Sequence, residues 1–170
     1  MRTAPRYCIQ CGQRLVGRHV EGRDRHVCPA CGRIAYQNPL PVAAALVADA
    51  DGRILLVKRR DEPQQGRWCL PIGFAELGET IRAAALRELH EEAGITGRIV
   101  ALLDVDSYAS DFYGDLLIVT FEVRKTSGTE RPGDDAAEVR YFPARALPPL
   151  AFSANDRAVA SWTARRGRSD

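Results

Sequence analysis

No apolar run in the 170-residue chain approaches the ~18 residues that would cross a bilayer. The longest uncharged stretch, residues 34–48, is broken by Gln37, Asn38, Pro39 and Pro41. A membrane-bound role is therefore not expected. The first residues, Met1-Arg-Thr-Ala-Pro-Arg6, hold no apolar core of the kind that directs export. A cytoplasmic location is expected. Low-complexity tracts are also missing, and 45% hydrophobic and 27% charged residues are ordinary for a globular protein. Disorder and fibrous architectures are thus excluded. Lysine is scarce: Lys58 and Lys125 stand beside 22 arginines. That skew fits a GC-rich genome and says little about mechanism. His19, His26 and His90 have no partner in the sequence and receive no role.

Charge of one sign is lacking overall, at +2, but it is unevenly placed. Residues 1–40 carry seven arginines against Glu21 and Asp24, a net +5, and the remainder is net −3. Two modules are implied. The cysteines sharpen this division. Cys8-Ile-Gln-Cys11 and Cys28-Pro-Ala-Cys31 are C-x2-C pairs separated by 16 residues, a spacing that reads as a zinc site. Each pair is followed by glycine, which lets backbone N–H groups turn towards sulfur. Four thiolates close a tetrahedral Zn²⁺, so the site would be structural. A disulfide framework would need an oxidising compartment. So short a module builds little core and would draw its folding energy from the metal. Cys69, between Trp68 and Leu70, reads as a buried apolar residue.

Tyr36-Gln-Asn-Pro-Leu-Pro41 favours extended backbone and marks the joint. The expected division is a ribbon over 1–36, a larger domain over 37–164 and a frayed basic tail over 165–170. Val42–Ala48 and Arg53–Val57 read as strands around the turn Asp49-Ala-Asp-Gly52, forming a hairpin. Thr80–Ala93 reads as a helix, with Thr80 as N-cap and Gly94 as its stop. Residues 98–105, 116–123 and 139–142 read as strands. Ser153–Ala164 reads as a helix with Ser153 and Asp156 near capping-box spacing. Mixed strands and two helices give an α/β domain.

The chemistry lies in Gly73–Ile95, GFAELGETIRAAALRELHEEAGI. Glu88, Glu91 and Glu92 share one side of the helix, while Leu86 and Leu89 lie on another and face the core. Three carboxylates this close repel one another unless a cation sits among them, and hard oxygen ligands suit Mg²⁺ or Mn²⁺. A solvated acidic face is the alternative reading. The flanking residues decide between them. Gly73, Glu79, Arg87, Glu88, Leu89, Glu91, Glu92, Gly94 and Ile95 meet G-x5-E-x7-R-E-U-x-E-E-x-G-U, with U aliphatic. The stretch resembles the Nudix box, the signature of the Nudix hydrolases. Ile72 stands where many relatives carry a second glycine.

That resemblance implies an α/β/α sandwich with a mixed sheet and a loop–helix–loop catalytic segment. It implies hydrolysis of a nucleoside diphosphate linked to another group. It assigns Glu88, Glu91 and Glu92 to Mg²⁺, one of them also as a candidate base, and the Gly73 carbonyl to the same shell. Arg87 would pair with Glu79 and orient the segment. Relatives often place a metal-binding or base glutamate in a late loop. Glu138 fits that place, as does an exposed-carboxylate reading, and Asp134 and Asp135 compete with it. Arg59 and Arg60 are candidates for substrate phosphates, or form a solvated basic turn.

The ribbon joined to such a domain is similar to the zinc-ribbon Nudix group, which includes NADH pyrophosphatases and enzymes acting on ADP-ribose or FAD. The S-Q-P-W motif of the NADH enzymes is missing after the box. Ser107, Tyr108, Tyr113 and Gly114 instead look like the ADP-ribose/FAD subgroup. Tyr108 or Tyr113 is a candidate to stack on adenine, with core packing the alternative. The expected reaction is ADP-ribose to AMP and ribose 5-phosphate, with FAD and then NADH as alternatives. A nucleic-acid-binding or regulatory protein is the competing class. Its aromatic supply is thin, since Tyr7 and Tyr36 are the only Phe, Trp or Tyr side chains in residues 1–40. The ribbon is expected to buttress the domain, and a homodimer is left open.

Overall fold

The computed structural model describes residues 5–167. The two cysteine knuckles are built alike. Cys8 N–H donates to Gln13 O and Gly12 N–H to Cys8 O, as Cys28 N–H donates to Arg33 O and Gly32 N–H to Cys28 O. A hairpin of β1 (Val16–Val20) and β2 (Arg23–Val27) follows the first knuckle, and β3 (Ile34–Ala35) adds to β2. The ribbon's apolar cluster holds only Cys8, Leu15 and Cys28, with Ala35 against it.

The larger domain begins with β4 (Leu40–Val47), an apolar strand buried almost throughout. It lies between β7 (Ile72–Phe74), antiparallel, and β9 (Gly114–Gly128), parallel. Strand β8 (Ile95–Ser110) completes this mixed sheet in the order β7-β4-β9-β8. A second sheet places β5 (Arg53–Arg59) between β10 (Ala136–Pro143) and β6 (Trp68–Cys69). Helix α1 (Ile81–Ala93) buries Ala84, Ala85, Leu89 and Ala93 in one core cluster. Helix α2 (Ser153–Arg166) buries Ala158, Val159 and Trp162 in the other. Sheets lie between the two helices, as the resemblance implied. Cys69 is fully buried, and burial pushes its thiol up.

Three local expectations need correction. Val42–Ala48 and Arg53–Val57 do not form a hairpin ladder. Asp49 N–H donates to Arg53 O at 3.0 Å and Ala48 bridges Ile54, after which the strands part into different sheets. Both strands are apolar on both faces, so each is satisfied inside its own layer with distant partners. Helix α2 starts after Phe152 without a side-chain cap, so Ser153 and Asp156 make no capping box. It also continues to Arg166, beyond the expected Ala164. Of the expected frayed tail, Arg165 and Arg166 are helical, and 168–170 lie outside the described residues.

Helix α1 does match its local signals. Thr80 Oγ1 accepts from Ala83 N–H at 3.1 Å, and Gly94 ends the helix at φ 71°. The strands expected at 98–105 and 116–123 are parts of the much longer β8 and β9. These continue, paired, to the turn around Asp111–Tyr113.

Candidate active site

Helix α1 follows β7 after a short loop, and this connection sets the site. Gly73 sits in β7 opposite Ala43. A Cβ on Gly73 would lie 2.2 Å from the Glu88 carboxyl carbon. Any larger residue would displace that carboxylate, which gives the glycine a steric reason to be there.

Arg87 is the hub of the segment. Its Nη2 donates to Glu79 Oε1 at 2.7 Å and to Phe74 O at 2.9 Å. Its Nη1 donates to Glu88 Oε1 at 2.7 Å and Glu91 Oε2 at 2.8 Å. Glu79 in turn accepts from Glu76 N–H at 2.7 Å, so the loop is closed on itself. The Arg87 guanidinium holds Glu79 below the usual carboxylate range. Glu92 is 3% exposed. Its Oε2 accepts from Ile72 N–H at 2.9 Å. Burial nevertheless pushes Glu92 up to about 9, with the nearby Asp135 and Glu88 adding to the rise. Burial also raises Glu88, against the lowering effect of Arg87.

The loop between β9 and β10 is stitched to the end of α1. Arg131 N–H donates to Ala93 O at 3.1 Å and Gly133 N–H to Glu92 O at 3.3 Å. Arg60 N–H donates to Asp135 O at 2.7 Å. These bonds carry Asp134 and Asp135 to the glutamates. All five carboxylates line one cleft of about 550 Å³, together with Gly73, Arg87, Arg59, Asp61, Phe74, Tyr113 and Phe152.

Other expected site residues are placed differently. Arg59 lines the cleft, anchored by Nε–H to Pro63 O at 2.7 Å. Arg60 is not among the lining residues, and its Nη2 donates to Ala136 O at 2.8 Å. Tyr113 lines the cleft edge-on to Phe74, with centroids 5.1 Å apart. Tyr108 does not line it. Its ring packs against the core and meets Phe152 edge-on at 5.9 Å. Glu138 is not a lining residue either. Its carboxylate pairs with Lys58 at 2.7 Å and Arg140 at 3.2 Å, and Lys58 holds it below the usual range. The register shift between Ala136 and Glu138 separates it from Asp135. Sequence reasoning named Asp135 only as a competitor and missed Asp61, Phe74 and Phe152. The run of polar and small residues at 132–137 offered no way to choose among its acids.

Two groups of side chains could hold metal ions. The four cysteine sulfurs lie within 4.8 Å of one another, the only such group of three or more candidate ligands among the described residues. Three of their separations are 3.5, 3.7 and 3.8 Å. A tetrahedron with Zn–S of about 2.3 Å has edges of about 3.8 Å, so the thiols fit one such ion. Backbone N–H groups of Cys31 and Ala30 lower the Cys28 thiol to about 6, which favours a thiolate. The cleft carboxylates are less tightly gathered, with Arg87 as their shared counter-cation. Their all-oxygen chemistry fits a hard divalent cation. An uncompensated cluster of buried carboxylates would otherwise be costly to ionise.

The comparisons agree with this geometry. The NUDIX domain family matches residues 38–163, and the Nudix N-terminal family matches residues 6–37. An ADP-ribose pyrophosphatase of Methanocaldococcus jannaschii is 38% identical over 118 residues, covering 69% of each chain. The NAD-capped RNA hydrolase NudC of Pseudomonas aeruginosa is 31% identical over 147 residues. That match covers 85% of this chain and half of NudC's length. A NUDIX hydrolase structure from Nitrosomonas europaea superposes with a TM-score of 0.81 at 31% identity, covering 96% of this chain and 93% of that one. The fold and cleft are those of a phosphoanhydride-hydrolase class. The chain belongs to the Nudix hydrolase family, with the N-terminal ribbon module.

Proposed function

We propose that the cleft hydrolyses the pyrophosphate of a nucleoside diphosphate linked to a second moiety, with ADP-ribose as the preferred substrate. The observation that carries this is the joint placement of Glu88, Glu91, Glu92, Asp135 and Arg59 in the lining of one cleft. The similarity to an ADP-ribose pyrophosphatase supports the choice of substrate. Water adds to one phosphorus, the P–O–P bond breaks, and AMP and ribose 5-phosphate leave, the water's two protons passing to the product phosphates, solvent or buffer.

Glu88, Glu91 and Glu92, with the Gly73 carbonyl, are assigned to Mg²⁺ or Mn²⁺, and Asp135 takes the late-loop place first considered for Glu138. The bound cation would neutralise the diphosphate and polarise phosphorus. Arg59 supplies positive charge to the anionic substrate, because the other cation in the cleft, Arg87, is consumed by three carboxylates. Arg87 and Glu79 position the glutamates rather than touch substrate. Arg60 is reassigned to holding the Asp135 loop. Cys8, Cys11, Cys28 and Cys31 are assigned to structural Zn²⁺, with the module boundary at 36/37.

A panel of ADP-ribose, FAD, NADH and nucleoside triphosphates, each with Mg²⁺, tests the reading. ADP-ribose should give the highest kcat/KM, with AMP as a product. Preference for a triphosphate would sink the diphosphate-linked assignment. FAD, giving AMP and FMN, is the second candidate because the same downstream residues point to it.

A further inference from the structure

The cleft's carboxylates and Arg59 account for a diphosphate, but they leave Phe152 unexplained. Phe152 is half-buried and lines the cleft, although its position immediately before α2 belongs to no part of the box. Its backbone is fixed. Ala151 N–H donates to Trp68 O at 2.8 Å, and Leu150 bridges Trp68 in parallel. On the other side, Asn155 is fully buried and its N–H donates to Phe152 O at 2.9 Å. Asn155 Oδ1 also accepts from Leu70 N–H at 3.3 Å, so the segment is tied at one end to β6 and at the other to the residue that follows β6 on the way to Gly73.

The ring is fixed as well. Tyr108 meets it edge-on, with centroids 5.9 Å apart and planes at 82°. The Arg59 guanidinium lies over it at 5.6 Å. A phenyl ring in edge-on contact with a second ring and covered by a cation thus lines a cleft rich in carboxylates. Such a surface offers water nothing. It would offer a planar heteroaromatic group the face that Arg59 now covers, once the guanidinium turned to a phosphate.

We propose that Phe152 is the stacking platform for the nucleobase of the substrate. Tyr108 is a positioning residue that holds this ring from behind and does not itself stack on the base. The assignment rests on the nucleoside-diphosphate reading of the cleft, but it can be tested without hydrolysis. The direct probe is AMP binding, measured by calorimetry on the full chain and compared with ribose 5-phosphate, which has no base.

In Phe152→Ala the Kd for AMP should rise about tenfold or more, the scale of one base–aromatic stack. Affinity for ribose 5-phosphate should stay the same. With the best substrate of the panel, KM should rise and kcat should hold within about twofold. Phe152→Trp should restore AMP affinity. Phe152→Leu keeps apolar bulk without a π face and should remain weakened, so loss of packing is separated from loss of stacking. Tyr108→Phe should be neutral, while Tyr108→Ala should weaken AMP less than Phe152→Ala does. Equal loss of AMP and ribose 5-phosphate, or AMP binding unchanged in both Phe152→Ala and Phe152→Leu, would overturn the platform. If wild-type protein hydrolyses only triphosphates yet Phe152→Ala still loses AMP selectively, the platform stands and the ADP-ribose reading falls.

Discussion

The ribbon and the cleft both gather anionic ligand groups, and they do so in opposite ways. In the ribbon, four sulfurs converge within 4.8 Å, and the backbone N–H groups of their own knuckles help to stabilise them. A closed set of soft ligands leaves no position for a substrate. In the cleft, seven acidic side chains share the lining, and Arg87 pairs with two of them, Glu88 and Glu91, and with Glu79 outside it. That set remains open on one side and is held by a rigid sheet and helix. The difference teaches where each module's stability comes from. The ribbon has almost no core and would depend on its ion. The larger domain has two apolar clusters and can hold charge repulsion in its cleft.

The largest expected effect therefore belongs to the ribbon. Zinc binding to such modules is worth on the order of 10 kcal/mol of folding free energy. Cys28→Ser should abolish zinc content by elemental analysis and unfold residues 6–35 by hydrogen exchange. Amides of β4 and α1 should stay protected, and kcat should change little. Loss of protection in α1 would show that the ribbon and the domain fold as one unit, which would break the comparison.

Next comes Glu92→Gln. Removal of a proposed metal ligand should lower kcat by about 100-fold or more, while the melting temperature is kept or raised. The sign of the stability change follows from burial. The native Glu92 titrates near 9, against 4.5 for the ordinary side chain. Its contribution to stability is thus fully present below pH 4.5 and is lost as pH rises through about 9. Metal-free wild-type protein should lose melting temperature over that window, and Glu92→Gln should lose less. Added Mg²⁺, which favours the ionised form, should raise the wild-type melting temperature more at pH 9 than at pH 6. The same Mg²⁺ shift at both values would sink the assignment of Glu92 as a ligand.

What was legible in the sequence was local. Thr80 and Gly94 bound α1 because capping is settled within a few residues. The cysteine knuckles were legible for the same reason. Arg87 and Glu79, eight residues apart, meet as the resemblance to the Nudix box implied. Non-local pairing was not legible. The strands that begin at Val42 and Arg53 follow one another across a tight turn, but β4 pairs with β7 and with β9, the latter more than seventy residues away. The length of β8 was hidden because its register shifts interrupt simple alternation. Phe152 escaped notice because only the fold brings the end of the chain to the cleft.

The smallest effect separates two carboxylates three residues apart. Asp135 lines the cleft beside Glu92, whereas Glu138 lies across a register shift and pairs with Lys58 on the sheet. The resemblance pointed to Glu138, because relatives often place a glutamate in such a late loop, with an exposed carboxylate as the equal alternative. The Lys58–Glu138 pair is solvent-screened, so its removal should cost little stability and leave activity untouched. Asp135→Asn should instead lower kcat/KM about tenfold or more and weaken Mg²⁺ binding, because it alters the charge facing Glu92. Titrating activity against Mg²⁺ in both variants decides the matter. A raised Mg²⁺ requirement in Glu138→Gln with none in Asp135→Asn would return the late-loop role to Glu138. It would also mean that the loop moves far enough in the working enzyme to undo the bonds that tie Arg131 and Gly133 to the end of α1.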